Sequence, residues 1–121
     1  MSRRSKVAML VMAAFVAFVE GPLNPFWIWN AMPIAMAYLV LRATFDNPRL
    51  HVAGVVFAVL ACLVVVFVHI AWLFDLRSLA TSPTTADRVF MVAPLGALAV
   101  AGAGWVVAWG LGARRPGERR E

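Results

Sequence analysis

The stretch His51 to Asp75, HVAGVVFAVLACLVVVFVHIAWLFD, decides the fold. Between its ends lie 23 positions, and apart from Cys62 the only ionisable side chain among them is His69. A helix rises ~1.5 Å per residue, so this run crosses a hydrocarbon core of ~30 Å. A soluble domain of this size has no need of such a run. The stretch reads as a transmembrane helix, and the other apolar runs read as its partners.

The composition agrees. Of 121 residues, 63% are hydrophobic and 14% are charged, against about 25% charged in soluble domains. The length suits one domain. The net charge is +5, but the basic residues are clustered: Arg3, Arg4 and Lys6 at one end, Arg114, Arg115, Arg119 and Arg120 at the other. Such clusters can bind nucleic acid. Here they flank apolar helices, where basic residues set orientation, so no nucleic-acid partner is expected. The single cysteine, Cys62, cannot form an intramolecular disulfide and cannot alone make a zinc site.

Outward from the long run, turn signals divide the chain. Met1 to Lys6 is a basic leader, and Val7 to Val19 is apolar. Together they resemble the first regions of a secretory signal. No small-x-small cleavage site follows, so the helix is expected to be retained. Glu20 to Pro25, EGPLNP, is a turn. Phe26 to Leu41 is a second apolar run, opening with Trp27 and Trp29, which suit the membrane–water interface. Asp46 or Asn47 is placed to cap the long helix, with Pro48 at its first position. Thr84 to Asp87 fits a capping box before the last apolar run.

The expected fold is therefore an all-α integral membrane protein with four transmembrane helices in one bundle. The helices fall at about 5–20, 26–42, 48–74 and 85–112, within a domain of residues 1–113, and a basic, disordered tail of 114–121 follows. With both termini cytoplasmic, nine of the eleven Lys and Arg lie inside and only Arg77 and Arg88 outside, as the positive-inside rule requires. The Ala, Val and Arg content suits a bacterial inner (plasma) membrane.

In lipid, small residues at helical spacing mark helix contacts. On the fourth helix Ala93, Ala97, Ala101, Gly104, Ala108 and Gly112 keep to one face, and the seam is expected at Ala97, Ala101, Gly104 and Ala108. On the first helix Ala13, Ala17 and Gly21 are spaced by four; on the third, His51, Ala58, Cys62 and His69 form one stripe.

Polar residues inside a membrane are costly and so are site candidates. Glu20, Asn24, Asn30, His69 and Asp75 all fall toward the outer leaflet, as do Pro33 and Pro94, which free the carbonyls of Trp29 and Phe90. Two readings stand. In one, Glu20 and Asp75 end helices at the headgroups, Asn30 bonds a freed carbonyl, and His69 bonds a neighbouring helix. In the other, Glu20 and His69 form an ionisable pair in a shallow outward-open pocket walled by Asn30, and the pair touches directly or through one water.

Other chemistry is not expected. The two histidines are 18 positions apart on one helix, roughly 27 Å, too far for one haem. No paired carboxylates, Gly-rich phosphate loop, metal cluster or Ser/Cys–His nucleophile stands out, so no catalytic residue, metal or cofactor is assigned. Small multidrug transporters also combine four spans with about this length, but their functional Glu lies within the first helix. Glu20 ends its run and no motif around it matches, so that function is not carried over. The expected function is that of a non-enzymatic accessory or interaction protein, associating with itself or a larger membrane complex through its helices. The alternative is a small homo-oligomeric transporter or channel using the pocket.

Overall fold

A computed structural model describes residues 2–113, all of its regular structure helical. Four helices follow one another: α1 (Arg3–Glu20), α2 (Phe26–Thr44), α3 (Pro48–Leu73) and α4 (Pro83–Ala113). A single tight turn at Leu76–Ser78 lies between the last two. The expected tail at 114–121 lies outside the described residues.

Three helices, α2, α3 and α4, are long and apolar enough to cross a membrane. At ~1.5 Å per residue the 26 residues of α3 span about 39 Å. α1 differs because it starts at Arg3 rather than near residue 5. Ser2 caps it, its hydroxyl accepting the Ser5 N–H at 3.1 Å. The basic leader thus lies inside the helix, and Glu20 closes its other end.

The other ends have local causes. Gly21 stops α1 at φ +89°, a conformation that costs glycine little. The Asn24 side chain accepts the Phe26 N–H and starts α2. α2 runs two residues past its expected end, to Thr44, whose hydroxyl donates to the Val40 carbonyl at 2.8 Å. Asn47 rather than Asp46 caps α3, accepting from Arg49 and Leu50, with Pro48 opening the helix. α3 stops at Leu73, one residue early.

α4 corrects the expected capping box. The helix opens at Pro83, so Thr84 to Asp87 lie within its first turns. The Ser82 carbonyl takes the N–H groups of Thr85 and Ala86, both at 3.0 Å. Proline at the first position loses no bond and has its φ preset, which moves the start forward.

α3 packs against all three other helices, and so does α2; α1 and α4 lie apart, with no close backbone approach between them. The centre is formed by Val16, Ile34, Ala37, Ala61, Val65, Ala97 and Ala101. The many large apolar side chains left outside, Leu10, Phe18, Leu63, Phe67 and Val107 among them, form the surface expected of helices solvated by lipid.

The α4 seam meets α3. Ala97 and Ala101 are fully buried. A Cβ at Gly104 would collide with the Leu60 side chain and lie 3.2 Å from Val56 Cγ1. Ala93 and Ala108 are half-buried and Gly112 is exposed, because the antiparallel α3 begins near that level. Gly54 on α3 makes a similar approach to Thr44 of α2; the sequence reading had not singled it out.

Candidate functional site

The polar residues gather at the end of the molecule formed by the α1–α2 turn and the α3–α4 loop. His69 sits four residues before the end of α3 and is 1% exposed. Its Nδ1 lies 2.7 Å from the Val65 carbonyl and its Nε2 lies 2.7 Å from Glu20 Oε1. The rings of Phe15 on α1 and Phe90 on α4 meet the imidazole edge-to-face, with centroids at 6.3 Å and 5.2 Å. His69 thus reaches both α1 and α4, whose backbones do not approach each other closely. Its stripe on α3 behaves unevenly: Ala58, Cys62 and His69 are buried, His51 only partly so.

These distances restrict the protons. A carbonyl only accepts, so Nδ1 carries a hydrogen. A bare Nε2 lone pair would repel a carboxylate oxygen at 2.7 Å, so one proton lies between the two atoms. On Nε2 it makes an imidazolium–carboxylate pair; on Oε1, two neutral groups. The pair has no net charge either way, which makes its burial in a low-dielectric site tolerable.

Asn30 lies on α2 and is 1% exposed. Its Nδ2 donates to the Phe26 carbonyl at 3.4 Å, one turn back in its own helix. The reading in which Asn30 bonds a proline-freed carbonyl therefore fails: those carbonyls belong to Trp29 and Phe90, and the Phe26 oxygen is nearer in its own turn. Because that oxygen accepts only, the amide nitrogen must face it. Asn30 Oδ1 is then left buried with no hydrogen-bond partner among the described residues. Asn30 bonds neither Glu20 nor His69, but it shares a cleft with Glu20.

That cleft has a volume of about 580 Å³. Glu20 and Val19 from α1, Asn24 from the α1–α2 turn, Asn30 from α2, Trp72 from α3 and Asp87, Phe90 and Met91 from α4 line it. Nearby, the Trp29 indole donates to the Met91 carbonyl at 3.1 Å and ties α2 to α4 just before Pro94. The sequence reading had not assigned the side chains of Trp72, Phe90 and Asp87 to the site. Their signal was helical spacing: Trp72 is three past His69, and Phe90 three past Asp87.

Ala80 of the α3–α4 loop and Pro83, the first residue of α4, extend the wall. Asp75, Arg77 and Ser78 all have positive φ, between 50° and 60°, a region unfavourable for non-glycine residues. Asp75 holds this shape. Its Oδ1 accepts the Ala80 N–H at 2.7 Å and the Thr81 N–H at 3.0 Å. These bonds, that from Thr81 foremost, hold the Asp75 carboxyl below the usual carboxylate range.

A second cleft of about 420 Å³ opens at the opposite end, between α1 and α3. His51 lines it, with Nδ1 buried and without a partner among the described residues, and its ring edge-on to Phe45 at 5.7 Å. Val16, Ile34, Ala37, Val65 and Ala97 fill the middle of the molecule between the two clefts. Among the described residues, no group of three or more His, Cys, Asp or Glu is placed to hold a metal.

Comparison of the chain with protein-family models, with curated proteins and with solved structures gave no match.

Proposed function

We propose that the protein is a non-enzymatic membrane protein that crosses the bilayer four times, with both termini cytoplasmic, and binds a small ligand in its outward-facing cleft, as a small homo-oligomeric transporter would. One observation carries this reading. Glu20, bonded to the buried His69, shares a cleft of about 580 Å³ with Asn30, whose buried Oδ1 has no hydrogen-bond partner among the described residues. Buried polar atoms are ordinarily satisfied, and unsatisfied ones beside a cleft of ligand size are candidates for ligand contact. The packed middle of the chain argues against a pore through one copy. The distribution of Lys and Arg supports the orientation and a fourth span at α1. The composition favours a bacterial inner membrane.

Accessibility tests it. In a chain with Cys62→Ala, an Ala86→Cys variant should react with a membrane-impermeant thiol reagent from outside intact cells. Reaction only from the cytoplasmic side would refute an outward-facing cleft.

A second reading, an accessory protein that docks through its helices, rests on the other face of α4. Ala99 and Ala103 are exposed there, and open space lies beyond Gly96 and Gly110. Small residues on a lipid-facing surface permit close helix approach. Ala99→Cys should then cross-link to a second copy or to a larger complex in native membranes.

A further inference from the structure

We infer that the outward-facing cleft takes a small organic cation: a protonated amine carried on an apolar body. The inference rests on the ligand-binding reading above and names the ligand's chemistry.

Three properties of the walls point the same way. The first is the orphan atom. Asn30 Oδ1 is a buried acceptor, since its amide nitrogen is committed to the Phe26 carbonyl. The matching ligand group is an N–H or O–H donor. The second is charge. Two acidic residues, Glu20 of α1 and Asp87 of α4, line the cleft, and among the described residues no Lys or Arg does. His69 stands behind Glu20, outside the lining, and offsets only that carboxylate. Asp87 is exposed and has no recorded ion-pair partner among the described residues. An anion would therefore meet the Asp87 carboxylate with no basic side chain among the described lining residues to balance it. The third is the aromatic content. Phe26, Trp72 and Phe90 contribute to the walls, and Trp72 and Phe90 pack edge-to-face at 6.2 Å. Aromatic faces attract cations and accommodate an apolar body.

A donor requirement separates a protonated amine from a quaternary ammonium, which lacks an N–H for Asn30. Size sets the remaining limit: about 580 Å³ suits a compact organic molecule.

The test uses the full chain in lipid nanodiscs and three probes of similar shape: phenethylammonium, 2-phenylethanol and phenylacetate. Calorimetric titration, with empty nanodiscs subtracted, should show saturable binding of the ammonium, at least tenfold weaker binding of the alcohol and none of the carboxylate. Asn30→Leu should weaken ammonium binding by about tenfold, the loss expected for one buried hydrogen bond to a charged donor. Ala86→Phe, which fills the cleft from α4, should abolish it. Equal binding of alcohol and ammonium, or preference for the carboxylate, overturns the cation assignment but leaves a ligand cleft. Binding of no probe, or binding unaffected by Ala86→Phe, overturns both.

Discussion

His69 Nε2 and Glu20 Oε1 lie 2.7 Å apart, 49 positions apart in the chain, and join the end of α3 to the end of α1. α1 buries little else deeply, chiefly Met9 and Val16. This contact therefore matters more for holding α1 in place than a surface pair would.

Replacing either partner leaves the other buried and unpaired. Glu20→Leu and His69→Leu should each lower stability by about 1–3 kcal/mol, read as a lower thermal midpoint in detergent–lipid micelles. The double variant should cost less than the sum, by roughly 1–2 kcal/mol. Glu20→Gln should be milder than Glu20→Leu, because its amide can donate to Nε2 while Nδ1 keeps its hydrogen on Val65. Strict additivity of the two Leu variants would mean the contact is not made in the membrane.

The seam between α3 and α4 predicts a contrast between two faces of one helix. Gly104→Leu drives a side chain into Leu60 and Val56 and should cost about 1–3 kcal/mol. Ala99→Leu faces outward and should stay within about 0.5 kcal/mol in the monomer. Equal tolerance in a denaturation series would contradict the seam.

Gly54 and Thr44 form a second close approach that can be tested by rescue. Gly54→Ala places its Cβ against the Thr44 hydroxyl, which is bonded to Val40, and should destabilise by about 1–3 kcal/mol. Adding Thr44→Ala clears the hydroxyl and should recover most of that loss. A double variant no better than Gly54→Ala would place the strain elsewhere.

The Asp75 loop should respond to acid. Its carboxyl is held below the usual range by the Thr81 and Ala80 N–H groups, so the contribution to loop order is complete above the unfolded value of about 3.9 and lost as pH falls through the lower folded value. Proteolysis within residues 76–82 should be slow from pH 7 to pH 4 and faster below that. Asp75→Asn should remove the pH dependence and Asp75→Ala should open the loop at every pH. A wild-type loop cut equally at pH 7 and pH 3 by an acid-stable protease would contradict the anchor.

The charge distribution predicts a topology that can be read directly. A reporter active only in the cytoplasm should score at both ends and not at Ser78 to Ser82. A cytoplasmic loop there would remove the four-span arrangement and with it the outward face of the cleft.

The sequence by itself determined where the helices lie, because those signals are local. Proline, glycine and asparagine at 21–25 and 47–48 act within one turn of themselves, and runs of apolar residues need no partner to be read. Boundaries slipped by a residue or two where a cap competed with its neighbour, as at Pro83 and Ser2. The small-residue stripes on α3 and α4 were also legible, since helical spacing alone places such residues on one face. A helix as apolar all round as α3 carries no comparable signal for which neighbour each face meets. Only the tertiary structure decided that α1 and α4 stand apart with His69 between them, that Asn30 bonds its own helix and leaves an acceptor unpaired, and that Trp72, Asp87 and Phe90 close a cleft around Glu20. Those relations depend on the rotation and depth of each helix against the others, which are set by close packing between distant segments and not by any one of them.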